Sequence, residues 1–218
     1  MKISSFTKTY PDGFSLCVPE LALTPGSICA VVGANGSGKS TFSKVLAGIL
    51  PPDSGPAPLP SSLTVGYLPQ RSYPFRMSVR ANLTLGGGST EQATELLQAL
   101  HLESLANRRA DLLSGGELSR MALARLLMHP RDLLLLDEPT AAMDMESTVL
   151  AEKLIRRICR ESGCTVLLVT HSLQQARRLA DHVLFFHQGS LWEQGPVEQV
   201  LHTPITPEAR AFLAFYGG

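Results

Sequence analysis

Residues Gly33-Ala-Asn-Gly-Ser-Gly-Lys39-Ser40 read G-x-x-x-x-G-K-S, and they dictate more about this chain than any other segment. An apolar run, Ser27 to Val32, precedes them and suits a buried strand. A breaker-free stretch with helical spacing, Thr41 to Ala47, follows. Strand, glycine-rich loop and helix together make a phosphate cradle. The glycines let the loop curl until backbone N–H groups point at phosphate oxygens, and the new helix adds its positive end. Gly33, Asn35, Gly36, Ser37, Gly38 and Thr41 belong to that cradle. Lys39 would reach the β- and γ-phosphates, and the Ser40 hydroxyl would hold Mg²⁺. The pattern implies a nucleoside triphosphate.

The rest of the chain alternates. Ile3 to Phe6 and Phe14 to Leu21 read as strands, and the proline-rich stretch Pro51 to Pro60 must be irregular. Strands are expected over Leu63–Leu68, Leu133–Leu136, Thr165–Thr170 and Val183–His187, with a closing hairpin through Leu191–Glu193. Helices are expected over Ser89–Leu100, Glu117–Met128, Thr148–Arg160 and Gln174–Ala180. This order predicts an α/β fold: a P-loop NTPase core with a mostly parallel sheet, a small N-terminal antiparallel β part and an inserted helical lobe. The whole of 1–218 reads as one domain, with core 1–71 and 113–218 and the lobe at about 72–112.

Leu133 to Leu136 ends in Asp137 and Glu138. Two adjacent acids at the end of an apolar strand are costly to bury without a cation. Asp137 would sit beside the magnesium held by Ser40, and Glu138 could orient and deprotonate an attacking water. A second glycine-rich helix start, Ser114-Gly-Gly-Glu117, is an anion site by its geometry.

Composition excludes some functions. Lys plus Arg and Asp plus Glu both total 19, so there is no net positive field to grip nucleic acid. Basic pairs such as Arg156-Arg157 and Arg177-Arg178 read as solvated helix faces. No apolar stretch approaches the roughly 20 residues of a spanning helix, and no basic-then-apolar leader opens the chain. Cys17, Cys29, Cys159 and Cys164 lack C-x-x-C spacing, which suits reduced thiols in a cytosolic protein.

Taken together, these segments resemble the ATP-binding-cassette (ABC) ATPases over nearly the whole chain. In that resemblance Ser114, Gly115, Gly116 and Glu117 match the signature loop, Gln70 the Q-loop, Ala141 to Asp144 the D-loop, and His171 the switch histidine. Tyr10, 29 residues before Lys39, falls where the family stacks an aromatic ring on adenine, with Phe14 as its rival. The resemblance implies Glu138, His171 and Gln70 as catalytic residues, Ser40, Gln70 and Asp137 as the Mg²⁺ set, and Asp144 as a contact across a dimer. It also implies ATP clamped between one P-loop and the signature of a second copy. Further expected partners are transmembrane permease subunits and, through them, an extracytoplasmic solute-binding protein, with no nucleic acid. The chain would sit in the cytoplasm on the inner face of the membrane.

Its details look most like bacterial importer ATPases for oxyanions such as tungstate or phosphate. An exporter, a lipoprotein-release motor or a non-transport ATPase is the alternative. Departures from the family pattern are Glu117 for Gln, Ser119 for Gln, Ala141 for Ser and Met145 for Pro. Lys39 and Gln70 are only 31 positions apart, which shortens the antiparallel flap. Tyr73 and Phe75, within Arg71 to Leu85, mark a candidate groove for a permease's coupling helix.

Overall fold

A computed structural model describes residues 1–216. Its strands are β1 (Lys2–Ile3), β2 (Phe6–Thr9), β3 (Ser15–Val18), β4 (Leu21–Ala22), β5 (Ile28–Val32), β6 (Val65–Leu68), β7 (Leu133–Asp137), β8 (Thr165–Val169), β9 (His182–His187) and β10 (Ser190–Pro196). Its helices are α1 (Lys39–Leu46), α2 (Val79–Thr84), α3 (Thr90–Ala99), α4 (Gly115–Leu127), α5 (Met145–Ser162), α6 (Leu173–Leu179), α7 (Val197–His202) and α8 (Pro207–Tyr216).

Eight strands form one sheet in the order β2-β3-β10-β9-β5-β8-β7-β6, and β1 pairs with β4 in a separate antiparallel ribbon. The five strands from β9 to β6 are parallel, as their apolar runs require: β5, β7 and β8 are buried at every position. Both faces must then be covered. On one face Leu134, Leu136, Val166 and Leu168 share a core with α4, α5 and the helices of 79–99. On the other, Leu133, Leu135, Leu167 and Val169 pack with Phe42 of α1.

The antiparallel part differs in detail from expectation. The stretch read as one strand over 3–6 is broken at Ser4–Ser5, and that over 14–21 at Pro19–Glu20. At the first break the Ser4 N–H turns to the Pro58 carbonyl, 2.9 Å away. At the second, proline has no N–H for a ladder. β2 and β3 are not a detached unit, because β3 joins the main sheet beside β10. β2 is an edge, and the proline-rich segment covers it: the Thr7 carbonyl accepts from Asp53 N–H at 2.8 Å, and the Thr7 N–H donates to Ser54 O at 3.1 Å.

Helix starts fall earlier than the apolar periodicity alone indicates, because caps set them. Ser114 caps α4 at Gly115, and Asp144 caps α5 at Met145. Gly163, at φ 69°, ends α5. α2, α7 and α8 were not expected, and two of them have only six residues, too short for a clear helical period.

Within 72–112, the fully buried Asn82 ties the loop before α2. Its Oδ1 accepts the Phe75 N–H at 2.9 Å, and its Nδ2 donates to Phe75 O at 3.1 Å. Arg125 of α4 lies 5.3 Å from the Phe75 ring centroid and donates to Tyr73 O. Tyr73 and Phe75 nevertheless remain 74% and 50% exposed, so they do not fill the lobe's core.

Candidate functional site

The loop between β5 and α1 owes its shape to glycine. Gly36 and Gly38 adopt φ of 76° and 102°. A Cβ on Gly33 would lie 2.1 Å from Phe186 O, so only glycine lets the loop rest on β9. Lys39 is buried, and its Nζ donates to the carbonyls of Gly33 and Ala34 at 2.8 and 2.9 Å. Burial lowers its pKa from the usual lysine value, and the nearby Glu138 and Asp137 carboxylates partly oppose that. The Ser37 hydroxyl is buried there without a hydrogen-bond partner among the described residues.

β7 brings the acids to the loop. Asp137 is 2% exposed, and its Oδ1 accepts from the Ser40 hydroxyl at 3.2 Å. Its Oδ2 faces the Tyr67 hydroxyl at 3.4 Å. Burial raises the Asp137 pKa above the usual carboxylate value; Glu138 adds to the rise, and Ser40 and Tyr67 oppose it. The Tyr67 phenol is pushed up as well, by burial and by Asp137. A carboxylate held in this way is short of a cation. Serine hydroxyl, aspartate and glutamine amide are hard oxygen donors, which suits Mg²⁺.

Glu138 follows at φ 50°, a left-handed conformation rare for glutamate. Its N–H donates to Val169 O at 3.0 Å, which turns the side chain out of the sheet. Two groups then meet its Oε2: Gln70 Nε2 at 3.0 Å and His171 Nδ1 at 3.3 Å. The end of β6 and the turn after β8 therefore deliver two polar side chains to one oxygen of the acid at the end of β7. This is the crevice at the carboxyl ends of parallel strands where ligands bind in open α/β sheets.

A cleft of about 600 Å³ opens over the loop, and Tyr10, Phe14, Gln70 and Glu138 are among its walls. Tyr10 is braced by its hydroxyl, 3.3 Å from Thr41 Oγ1, and its ring centroid lies 6.2 Å from that of Phe14. Asn35, Gly36, Gly38, Lys39, Ser40 and Thr41 all line this cleft. So does Asp12, which the sequence did not single out.

Ser114 to Glu117 and Asp144 do not line it. Ser114 accepts the Glu117 N–H, and Glu117 accepts the Ser114 N–H at 2.7 Å, a reciprocal cap. That backbone bond chiefly lowers the Glu117 pKa. Glutamate in place of glutamine thus still closes the helix end. A Cβ on Gly116 would meet Ala142 O at 3.0 Å, so the 114–117 loop leans on the 141–144 turn. Asp144 accepts the Ser147 N–H at 2.7 Å and caps α5. One chain thus presents a cradle with its acids and, apart from them, a second glycine-rich helix start that is partly exposed at Ser114 and Gly115.

Arg157 is exposed, as a solvated helix face requires, but the pair Arg177-Arg178 is only partly solvated. Arg178 forms a two-point pair with the buried Glu152, through Nε at 3.1 Å and NH2 at 2.7 Å, and that contact raises its pKa. Arg177 reaches Leu201 O. The four cysteines are free thiols; Cys159 Sγ lies 3.1 Å from the Cys164 carbonyl rather than in a disulfide. Tyr67 was also missed. It approaches Asp137 only because the parallel register sets Tyr67 opposite Leu135, two residues from the acid, and register is absent from sequence.

Asp137→Asn removes a desolvated charge while keeping an oxygen for Ser40. Because the folded-state pKa is raised, the ionised carboxylate costs stability at neutral pH, and the cost fades as pH falls through that pKa. In Mg²⁺-free buffer at pH 7.5 the variant is expected to melt about 2–4 °C above the parent. Calorimetry showing no gain, or a loss, would refute the buried-charge argument.

The sequence model of the family described as "ABC transporter" matches residues 18–141. The aliphatic sulfonates import ATP-binding protein of Pseudomonas fluorescens is 39% identical over 82% of this chain and 70% of its own length. The thiamine import ATP-binding protein of a Jannaschia species is 32% identical over 86% of this chain and 90% of its own. A dimeric ATP-binding cassette solved in a post-hydrolysis state with ADP and Pi superposes with a TM-score of 0.78 at 25% identity, over 90% of this chain and 98% of that one. The chain spans 62–74% of the length of its sulfonate-import relatives. The chain belongs to the ABC transporter family. Within that family it is an ATP hydrolase that uses ATP with Mg²⁺.

Proposed function

We propose that the chain is the ATPase subunit of a membrane importer, working as a dimer with a second copy of itself. The observation that carries the site assignment is the meeting of Gln70 and His171 on the one Glu138 oxygen at the mouth of the Lys39 cradle. ATP lies with its base against Tyr10 and its phosphates over Gly33 to Thr41. Ser40, Asp137 and the Gln70 carbonyl oxygen, whose amide nitrogen is committed to Glu138, would hold Mg²⁺, which would supply positive charge against the phosphates. Glu138 takes a proton from water as its oxygen attacks the γ-phosphorus and the bond to ADP breaks. His171 holds the carboxylate and the water in line.

Ser114, Gly115, Gly116 and Glu117 of the second copy close over the γ-phosphate. Facing nucleotides carry more negative charge than one cradle can offset, so donors from both copies are needed. The exposure of Ser114 and Gly115, and the absence of 114–117 from the lining of their own chain's cleft, support this arrangement. Asp144 lies on the same dimer face and links one site to the other. ATP then closes the dimer, and hydrolysis loosens it.

No helix among the described residues is long and apolar enough to cross a membrane, so transport requires permease subunits. The exposed Tyr73 and Phe75 are the proposed seat for their coupling helix. The chain then works in the cytoplasm, on the inner face of the membrane, below a permease fed by a solute-binding protein. The cargo is an inorganic oxyanion such as tungstate or phosphate. Relatives named for aliphatic sulfonates support it only in part, since a sulfonate carries its oxyanion group on an organic chain; those named for thiamine and zinc do not. The cassette does not touch cargo, so transport must decide. Purified from membranes, the chain is expected to bring down a permease, and the reconstituted complex to take up labelled tungstate or phosphate with ATP. Extrusion, or a stable partner made of ribosomes or DNA, would overturn the importer reading.

A further inference from the structure

We propose that Gln175 is a positioning residue that keeps the two catalytic side chains, Glu138 and His171, in register. The proposal rests on the hydrolytic site described above and concerns a group outside it. Gln175 is 3% exposed and lies in α6, four residues after His171. Its Nε2 donates to Thr140 Oγ1 at 2.9 Å and to Glu152 Oε1 at 3.1 Å. Thr140 is two residues after Glu138, in the turn that runs into 141–144. Glu152 belongs to α5, the helix that Asp144 caps. One buried amide thus joins the segment after Glu138, the segment after His171 and α5.

The chemistry of the amide suits this task. A primary amide nitrogen has two N–H groups, one for each acceptor, so both bonds form without competition. Both anchors are themselves fixed. Arg178 holds Glu152 at two points, and Ser172 accepts the Gln175 N–H at 3.2 Å while donating its own N–H to Thr170 Oγ1 at 3.0 Å. The Thr140 carbonyl accepts the Met143 N–H at 3.0 Å, and the Glu138 carbonyl accepts the Ala141 N–H at 3.2 Å, so a shift of Thr140 carries Glu138 with it. A cleft of about 240 Å³ is lined by Glu138, Thr140, His171 and Gln175 together, which places the buried amide at the wall of the space that both catalytic side chains border.

Two variants test this. Gln175→Leu keeps the volume and removes both donors. Thr140→Val keeps the shape and removes one acceptor. Each is expected to lower kcat about tenfold or more, the scale set by loss of alignment, with KM for ATP and the affinity for a non-hydrolysed ATP analogue within twofold of the parent. The double variant should be no slower than the slower single one, because both remove the same bond. A purely structural role predicts a lower melting temperature with kcat within twofold of the parent, or losses that multiply; either result overturns the proposal. If Gln175→Leu does not fold, Thr140→Val decides alone through its kcat and KM. Turnover by the parent is the separate test of the hydrolytic reading: a parent that releases no phosphate refutes that reading and the proposal resting on it, whereas an active parent with active variants refutes the positioning argument alone.

Discussion

Glu138→Gln is expected to lower steady-state phosphate release by at least about 100-fold, within the range that a general base contributes, and to leave ATP affinity unchanged. The structure explains why the loss should be so selective. Glutamine matches glutamate in length, and its carbonyl oxygen can still accept from Gln70 Nε2 where Glu138 Oε2 now does at 3.0 Å. The same oxygen can also accept from His171 Nδ1, 3.3 Å away, when that nitrogen carries the proton. The left-handed backbone at Glu138 is fixed by bonds to Val169 and Ala141, which a side-chain change does not touch. What disappears is the basic lone pair. Because Lys39, Ser40 and the loop glycines are untouched, ATP should load normally, and a dimer that closes on ATP should stay closed. Size-exclusion chromatography with ATP is expected to show a dimer for the variant under conditions where the parent returns to monomer. Phosphate release within threefold of the parent would remove Glu138 from the role of base.

Much of this site is legible in the sequence because its parts are local. A P-loop is eight consecutive residues between a strand and a helix, and β7 announces its acids by running Leu133 to Leu136 straight into Asp137. Caps divide. Ser114-Gly-Gly reads directly as a helix start, whereas Asp144, read as a contact across a dimer, also caps α5 and starts it before the apolar periodicity does. What is not legible depends on partners far apart in the chain. Tyr67 meets Asp137 through strand register, and Gln175 meets Thr140 across 35 residues. Arg178 looked like half of a solvated basic pair, yet it answers a buried Glu152 that no period in the sequence marks. Glutamine and arginine on a helix surface carry no signal of what faces them. Only packing supplies it.

The sharpest separation of binding from stability should come from Lys39→Ala. Affinity for ATP, measured by titration with Mg²⁺ present, is expected to fall on the order of 100-fold, equivalent to about 2.7 kcal/mol and consistent with losing a hydrogen bond to a charged group together with its partner's compensation. The fold should hardly notice. Burial lowers the Lys39 pKa, so its charged form is disfavoured by folding, and the contribution is a cost present below the folded pKa and not a gain. Removing the ammonium relieves that cost but leaves the Gly33 and Ala34 carbonyls without their donor. These effects oppose each other, and the melting temperature without nucleotide is expected to move by no more than about 3 °C. In the parent, ATP should raise the melting temperature through mass action, and in the variant that rise should vanish at the same ATP concentration. An unchanged affinity would refute the cradle assignment. A collapse of the nucleotide-free fold would mean that Lys39 is first a structural tie between loop carbonyls.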